Sequence, residues 1–237
     1  MTAYEEIVHQ EIQIWKQKLL KPAGPIKRIT KQTQTKINSW IPQKVHSVIT
    51  SSVKALTNAT LAGSNLISKP TNVPASLYEK DQLLKEKLIT YRKTAVLEGA
   101  GTGVGGIFLG LADFPLLLSI KMKFLYEAAG IYGYDINRYE ERLFILHVFQ
   151  LAFSNDTKRI ETLQTIEHWD RQKAAIQDMN WQTFQQEYRD YLDIVKLLQL
   201  IPGFGAIVGA YANHNLLDQL GETALNAYRI RSLNSIG

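Results

Sequence analysis

Cysteine is absent from the 237 residues of the chain, and proline occurs only seven times. The lack of cysteine excludes disulfide bonds, thiolate metal sites and a cysteine nucleophile, and it agrees with a reducing compartment. Histidine occurs five times, yet no two histidines have the four-residue spacing of a helical zinc motif. We therefore expect no metal site.

Sustained alternation of apolar and polar residues is also missing, as are the Asn-Gly and Asp-Gly pairs that close β-hairpins. Apolar residues instead recur at steps of three and four, as at Val8, Ile12, Trp15 and Leu19. The first residues include acids and no apolar stretch after a basic region, so they do not resemble a secretory signal. The sequence predicts a cytoplasmic, all-α, multi-helix single domain over residues 1–237.

Acidic residues are absent from a long interval near the amino terminus. From Ile12 to Tyr78 there are ten Lys or Arg and no Asp or Glu, whereas acids outnumber bases in the rest of the chain. Such a concentration of bases indicates an anionic partner, either a membrane surface or nucleic acid. No helix-turn-helix, zinc-finger or RNA-binding signature is present, so a nucleic-acid partner is not expected. The bases assigned to an anionic surface are Lys27, Arg28, Lys31, Lys36 and Lys44.

Proline and glycine divide the chain into a basic amino-terminal subregion (1–68), a linker (69–76) and a glycine-hairpin core (77–237). The first helix should end near Lys21-Pro22, and two basic helices should flank Ile41-Pro42. Ser76 and Glu79 have the spacing of a capping box for a helix that reaches about Leu97. Further helices are expected from Asp135 through Phe153, from Asp156 to Met179, and from Asn180 to about Leu200.

The first of two glycine-rich apolar segments is GAGTGVGGIFLGLADFPLLLSIK, which has six glycines and no charge between Gly99 and Ala112. Each interior glycine costs a helix about 0.8–1.0 kcal/mol relative to alanine, so this density suggests backbones that approach closely. The segment contains a GxGxxG pattern, but no strand precedes it and no βαβ unit surrounds it. We therefore expect neither a dinucleotide nor any other cofactor.

The second segment, LLQLIPGFGAIVGAYANHNLL, runs from Leu197 to Leu217 without a formal charge. Its 21 residues are enough to span a bilayer core, but Gln199, Pro202 and the Asn-His-Asn end would place unsatisfied groups in hydrocarbon. Both segments are interpreted as helical hairpins packed in the core, with shallow insertion in lipid as the alternative. The glycines assigned to helix packing or membrane contact are Gly99, Gly101, Gly105, Gly106, Gly205 and Gly209.

The candidate catalytic residues lie at the edges of these segments and are Glu98, Asp113, Asn213 and His214. Asp113 precedes Phe114-Pro115, where its carboxylate is expected to cap a helix that starts at the proline. Alternatively, Glu98 and Asp113 converge in an apolar environment suited to acid–base chemistry. No Ser-His-Asp arrangement follows from the spacing, and a lone histidine beside an apolar helix is more often structural.

Three stretches resemble the EcsC family: GAGTGVGGIFLGLADFP, the YGYD at Tyr132 to Asp135, and IPGFGAIVGAYANHN with the downstream AYRIRSL. WKQKLLKP, KINSWIPQKVHSVIT and Gly63-Ser64 resemble it too, so the resemblance covers essentially the whole chain. The family pattern transfers onto residues with no established catalytic role, namely Gly101, Gly105, Gly106, Asp113, Gly133, Gly205, Gly209 and Asn213.

The resemblance implies an association, through a shared operon, with an ABC transporter made of an ATPase and a membrane subunit. The chain has no GxxxxGK[ST] motif, so it is not expected to be the ATPase itself. We expect a non-enzymatic accessory protein that is peripheral at the inner face of the cell membrane. The alternative is an enzyme of unknown class, such as a hydrolase, with a polar site between the two glycine hairpins.

Overall fold

The computed structural model describes residues 1–21, 43–63, 73–102, 106–154, 156–177 and 209–235. Within these ranges the chain forms eight α-helices and no strand, which confirms the predicted all-α fold. None of these helices is long and apolar enough to cross a membrane. The helices are α1 Ala3–Leu20, α2 Gln43–Ala62, α3 Leu77–Thr102, α4 Gly106–Ile131, α5 Tyr139–Phe153, α6 Asp156–Glu167, α7 Trp169–Gln177 and α8 Gly209–Asn234.

The starts of α1 and α3 are each closed by a capping box. The Thr2 hydroxyl accepts from the Glu5 N–H, and the Glu5 carboxylate accepts from the Thr2 N–H. Ser76 and Glu79 exchange the same two bonds, at 3.1 and 3.2 Å, as the sequence predicts. The apolar stripe of α1 is also confirmed, because its buried residues are Val8, Ile12 and Trp15.

Three helix boundaries differ from the prediction. α3 continues past Leu97 to Thr102. α5 starts at Tyr139, because the Asp135 carboxylate accepts from the backbone and side chain of Asn137 in a turn and does not cap a helix. The helix expected from Asp156 to Met179 is two helices, since the carbonyl of His168 accepts the first hydrogen bonds of α7.

The expectation that Asp113 caps a helix starting at Pro115 is wrong. α4 begins at Gly106 and continues through Pro115, so Asp113 lies inside the helix, where a capping role at its start is not available. An interior proline removes one backbone hydrogen bond and costs a helix about 3 kcal/mol. Ser119 donates its hydroxyl to the Pro115 carbonyl at 2.8 Å one turn later.

Pairs of side chains define the directions of the central helices. Lys87 of α3 pairs with Glu127 of α4, and Tyr91 meets Phe124 edge-on at 5.6 Å, so these two helices are antiparallel. In the same way α8 is antiparallel to α3, because Arg92 pairs with Asp218 near one end and Asp81 with Arg229 near the other. The carboxyl end of α3 and the amino ends of α4 and α8 therefore lie at one end of the bundle, called here the glycine end.

The start of α2 lies at this same end. Tyr126 of α4 donates its hydroxyl to the carbonyl of Thr60 at 3.2 Å, and Arg142 of α5 donates to the carbonyl of Leu61 at 3.0 Å. The last turn of α2 thus lies beside the carboxyl-terminal half of α4. The other residues that line the gap between the two helices, from Ser51 in α2 and from Pro115 in α4, all precede this contact in the chain, so the helices run parallel. α2 therefore begins, at Gln43, on the side of the bundle where the glycine end lies.

The core is organised around α5, whose buried residues include Phe144, Ile145, Leu146, Val148, Phe149, Leu151 and Phe153. A helix that is apolar on all sides is stable in water only when other helices enclose it. α8, α2, α4, α6 and α7 contact it and supply that enclosure. The predicted helices in residues 22–42 and from Asn180 to Leu200 lie outside the described ranges.

Candidate functional site

Opposite the glycine end, two arginines of α8 are buried in ion pairs, at what is called here the network end. Arg229 donates from Nε to Asp81 at 2.7 Å and from Nη1 to Glu11 at 2.8 Å. Arg231 makes a two-pronged pair with Glu141 at 2.6 and 2.9 Å, and reaches Asp170 at 3.2 Å. Residues two positions apart face different sides of a helix, so each arginine serves a different set of neighbours.

Asp81 is the centre of the first set, and its side chain is fully buried. Its carboxylate accepts from the Arg229 guanidinium and from two phenols, those of Tyr4 at 2.7 Å and of Tyr132. Burial, and then the bond to Asp81, raise the pKa of Tyr4 to about 12, and burial raises the pKa of Tyr132 well above its ordinary value. Both phenols therefore stay protonated and keep donating to the carboxylate.

Aromatic rings fill the space between the two sets. Tyr132 and Tyr134 both stack on Tyr228, at ring separations of 5.2 and 5.6 Å. The guanidinium of Arg231 lies 3.9 Å from the centre of the Tyr134 ring, a cation–π contact. Between the two tyrosines, Gly133 has φ +88°, a left-handed conformation that favours glycine. The YGYD and AYRIRSL stretches, far apart in sequence, thus meet in one cluster.

The ion pairs and hydrogen bonds of this cluster are suited to holding helices together. Both guanidinium groups are almost completely covered, with side-chain exposures of 3% for Arg229 and 2% for Arg231. The buried Asp81 carboxylate already accepts hydrogen bonds from one cation and two phenols, so its oxygens are engaged by the protein's own side chains. The network joins α1, α3, α5, α7 and α8, and so holds the chain's first and last described helices together.

Four of the glycines that the sequence singled out lie in described helices that begin or end at the glycine end. Gly99 and Gly101 are helical near the end of α3, while Gly106 and Gly209 begin α4 and α8. The backbone brings the start of α4, the end of α3 and the start of α8 to the same end, so the predicted juxtaposition of the two glycine segments is compatible with the topology. Whether the segments form packed hairpins stays a prediction.

The side chains of the four catalytic candidates, Glu98, Asp113, Asn213 and His214, lie outside what the structure describes, as do Gly105 and Gly205. Four of the five predicted surface bases also lie outside it, namely Lys27, Arg28, Lys31 and Lys36. Lys44 is exposed in the first turn of α2, at the glycine end.

An apolar groove of about 400 Å³ separates α2 from α4. On the α2 side the lining residues are mostly small, with Ser51, Ser52, Ala55 and Ala59 facing Leu118 and Met122 of α4. Thr60 and Tyr126 close one end of the groove through the bond between the tyrosine hydroxyl and the threonine carbonyl. Because the helices are parallel, the other end, at Ser51 and Pro115, opens toward the glycine end.

Two buried titratable residues were not identified from the sequence. Lys121 in α4 is 1% exposed, and burial lowers the pKa of its amine to about 8. His147 in α5 is 6% exposed, and burial lowers the pKa of its ring to about 4, while Nδ1 lies 2.8 Å from the Leu143 carbonyl. Trp169 packs against the His147 ring at 5.2 Å, so the histidine is part of the core.

Over the described residues the chain is all-helical, with the helix ends that border the two glycine-rich segments at one end of the bundle and a buried arginine–tyrosine cluster at the other. The chain matches the EcsC protein family over residues 6–233 and belongs to that family. It is 50% identical over 229 residues to Protein EcsC of Bacillus subtilis (strain 168), covering 96% of each chain.

A second relative from the same organism is named Uncharacterized protein YdbA. The identity is 35% over 143 residues, which cover 59% of this chain and 53% of the relative. No solved structure matches the chain.

Proposed function

We propose that this protein is a non-enzymatic accessory protein of an ABC transporter system that binds the anionic cytoplasmic face of the membrane with its glycine end. The transporter's ATPase and membrane subunit are the protein partners that family membership suggests. The observation that carries the proposal is the coincidence, at one end of the bundle, of the start of α2 and the three helix ends that border the glycine segments.

The basic interval supports this orientation. α1 runs antiparallel to α8, because Glu11 pairs with Arg229 and Lys18 pairs with Glu222 one or two turns further on. α1 therefore ends, at Leu20, on the side of the bundle from which α2 starts. The bases Lys27, Arg28, Lys31 and Lys36 lie in the sequence between these two points, and Lys44 follows directly. Each base near an anionic surface contributes about 1 kcal/mol before screening.

Co-sedimentation with phosphatidylglycerol and phosphatidylcholine vesicles, each at low and high salt, tests the proposal. We expect binding to the anionic vesicles that weakens as salt rises, because screening shortens the range of the attraction. Changing Lys27, Arg28, Lys31 and Lys36 to Gln should abolish most of it.

A charge-matched control changes four exposed bases elsewhere, Lys85, Lys93, Lys123 and Arg171, to Gln. It should keep most of the vesicle binding. Equal losses in the two variants would show that only net charge matters, and no binding of the wild type to any vesicle would refute the membrane role.

A further inference from the structure

Lys121 of α4 is a buried charged residue that the membrane role does not use. Its side chain is 1% exposed, and it makes no hydrogen bond or ion pair to the residues that the structure describes. Burial lowers the pKa of the amine to about 8, so at pH 7 most molecules still carry the charge. An unpaired ammonium in a protein interior is costly, and such groups often belong to functional sites.

Lys121 lies on the side of α4 that faces α8. Tyr132, directly after the end of α4, follows Lys121 by eleven residues, which is close to three whole helical turns, so the two residues share a face. Tyr132 stacks on Tyr228 of α8 at a ring separation of 5.2 Å. Because α4 and α8 are each antiparallel to α3, they are parallel to each other, and Lys121 faces α8 nearer the glycine end.

The stacked tyrosines also set the register of the two helices along the bundle. Tyr132 is level with Tyr228, so Lys121 is level with Leu217, which precedes Tyr228 by the same number of residues. α8 begins at Gly209, about 12 Å before that level at 1.5 Å per residue. A helical side chain slopes toward the amino end of its helix, and the stem of lysine is about as long as one helical turn. The amine is thus directed toward the first turn of α8.

Contacts of α3 give the same register to within one residue. Tyr91 of α3 meets Phe124 of α4, and the next residue, Arg92, pairs with Asp218 of α8. Phe124 is therefore about level with Gln219, and Lys121, three residues earlier in α4, is about level with Leu216.

The start of α8 has the same sign of charge as the amine. The aligned peptide dipoles of a helix give its amino end about half a positive elementary charge, and the first turn of this 26-residue helix contains no acid. Near this level, the acids whose side chains the structure describes are already paired, Asp218 with Arg92 and Glu127 with Lys87. A buried ammonium that points at the positive end of a helix is stabilised by an anion between them.

We propose that Lys121 and the first turn of α8 form a buried binding site for a phosphate group. The amine and the helix start together supply about one and a half positive charges, and a phosphate monoester carries about −1.5 to −2 at pH 7, a closer match than the single charge of a carboxylate. Backbone N–H groups at helix starts and lysine amines are both common phosphate ligands. The phosphate belongs either to a soluble molecule or to a lipid headgroup. The proposal does not rest on the membrane role, since a soluble phosphate enters from solution.

Calorimetric titration of the purified full-length protein with inorganic phosphate, in a buffer free of phosphate and sulfate, is the first test. We expect saturable one-to-one binding. Lys121→Met should weaken it at least about tenfold, as expected for the loss of a charge-assisted hydrogen bond. Lys123→Met, the same change at an exposed position two residues away, should leave the affinity unchanged.

Thermal unfolding with and without phosphate gives a second readout, which a purely structural lysine would not change. A ligand that binds only the folded state raises the midpoint temperature. The wild type and Lys123→Met should therefore gain more from phosphate than Lys121→Met, whose gain measures the general stabilisation that phosphate gives to folded proteins.

Dihexanoylphosphatidic acid, used below its micelle concentration, distinguishes the two sources of the phosphate group. Tighter binding than that of inorganic phosphate identifies a lipid headgroup, and equal or weaker binding identifies a soluble molecule. In either case Lys121→Met should lose the binding.

Three outcomes would overturn the proposal: no binding of either probe by the wild type, undiminished binding by Lys121→Met, or destabilisation of the ligand-free protein by Lys121→Met. The last would show that the amine has a partner within the protein, such as Glu98 or Asp113, which lie between this level and the glycine end in their helices.

Circular dichroism of each variant checks that it is folded. The two proposals fail separately, because Lys121→Met should still sediment with phosphatidylglycerol vesicles, and the variant of Lys27, Arg28, Lys31 and Lys36 should still bind inorganic phosphate.

Discussion

Asp81 and Lys121 occupy the same kind of position in their helices but have opposite surroundings. Asp81 lies in the stripe Leu77, Asp81, Leu84, Leu88, and Lys121 lies in the stripe Leu117, Lys121, Phe124, Ala128. Each is therefore carried into the interior by its apolar neighbours at helical spacing. Asp81 finds a cation and two phenols there, whereas Lys121 makes no hydrogen bond or ion pair to the described residues. The buried amine is a cost that the fold tolerates.

Lys121→Met is expected to stabilise the protein by up to about 3 kcal/mol at pH 7, since it replaces a desolvated charge by an apolar side chain of similar length. Urea denaturation of both proteins measures the difference. Lys123→Met, two residues away on the exposed side, should change the free energy of unfolding by less than about 0.5 kcal/mol. Destabilisation by Lys121→Met would mean that the amine has a favourable partner.

The pH dependence of stability should change with the same substitution. The pKa of Lys121 is lowered from 10.5 to about 8 in the folded state, so between these values only the unfolded chain binds the proton. The free-energy cost of burying the charged amine is thus fully present below about pH 8. The contribution of Lys121 to the free energy of unfolding becomes more favourable as the pH increases toward 10.5. In Lys121→Met that rise should be absent from the unfolding free energies measured over this range.

At the scale of helices, the contact between α3 and α8 is close where α8 has a glycine. A Cβ built on Gly221 would lie 2.4 Å from Leu88 Cδ2 and 3.1 Å from Leu88 Cγ. Glycine inside a helix normally costs about 1 kcal/mol relative to alanine. Here the missing side chain lets the two helices approach, and the Arg92–Asp218 pair forms one turn away.

Gly221→Ala is therefore expected to lower the free energy of unfolding by about 1–2 kcal/mol, despite the better helix propensity of alanine. Thermal denaturation should show this as a lower midpoint temperature. Adding Leu88→Ala should remove the clash, so that the second change costs less in the Gly221→Ala background than in the wild type. A stabilised Gly221→Ala single variant would contradict the close approach.

Element boundaries were predictable where the signal is local. The capping boxes at Thr2 and Ser76 each involve side chains and backbone within four residues, and the Ser76 box was identified correctly from the sequence. The continuation of α4 through Pro115 was not predicted, because proline is locally a helix breaker. Only the packing of the whole helix offsets the free-energy cost of the proline. The start of α5 was misplaced for a similar reason, since a turn at Asp135 competes with a cap there.

At the scale of the whole molecule, the network end joins the first and last helices. Arg229 links Glu11 of α1 and Asp81 of α3, residues separated from it by most of the chain. Removal of one partner from a buried pair leaves the other charge uncompensated, which typically costs 3–5 kcal/mol.

Arg229→Met should therefore lower the free energy of unfolding by about 3–5 kcal/mol, because Asp81 stays buried without its cation. The double variant Arg229→Met with Asp81→Leu should be more stable than Arg229→Met alone, giving a coupling of more than about 1 kcal/mol. Lys18→Met breaks the exposed pair with Glu222 and should cost less than about 0.5 kcal/mol. Strictly additive losses would argue against a coupled buried pair.

The amino-acid sequence by itself determined the helical class, the amphipathic stripe of α1, the capping box of α3 and membership of the EcsC family, since these depend on local spacing and on motifs. Only the tertiary structure decided which charges are buried and paired. Helical spacing places Asp81 on an apolar stripe, but nothing local to Asp81, Arg229 or Arg231 identifies their partners, which come from distant helices. The groove between α2 and α4 is likewise a product of packing, because its two walls are far apart in the chain and meet only when the bundle closes.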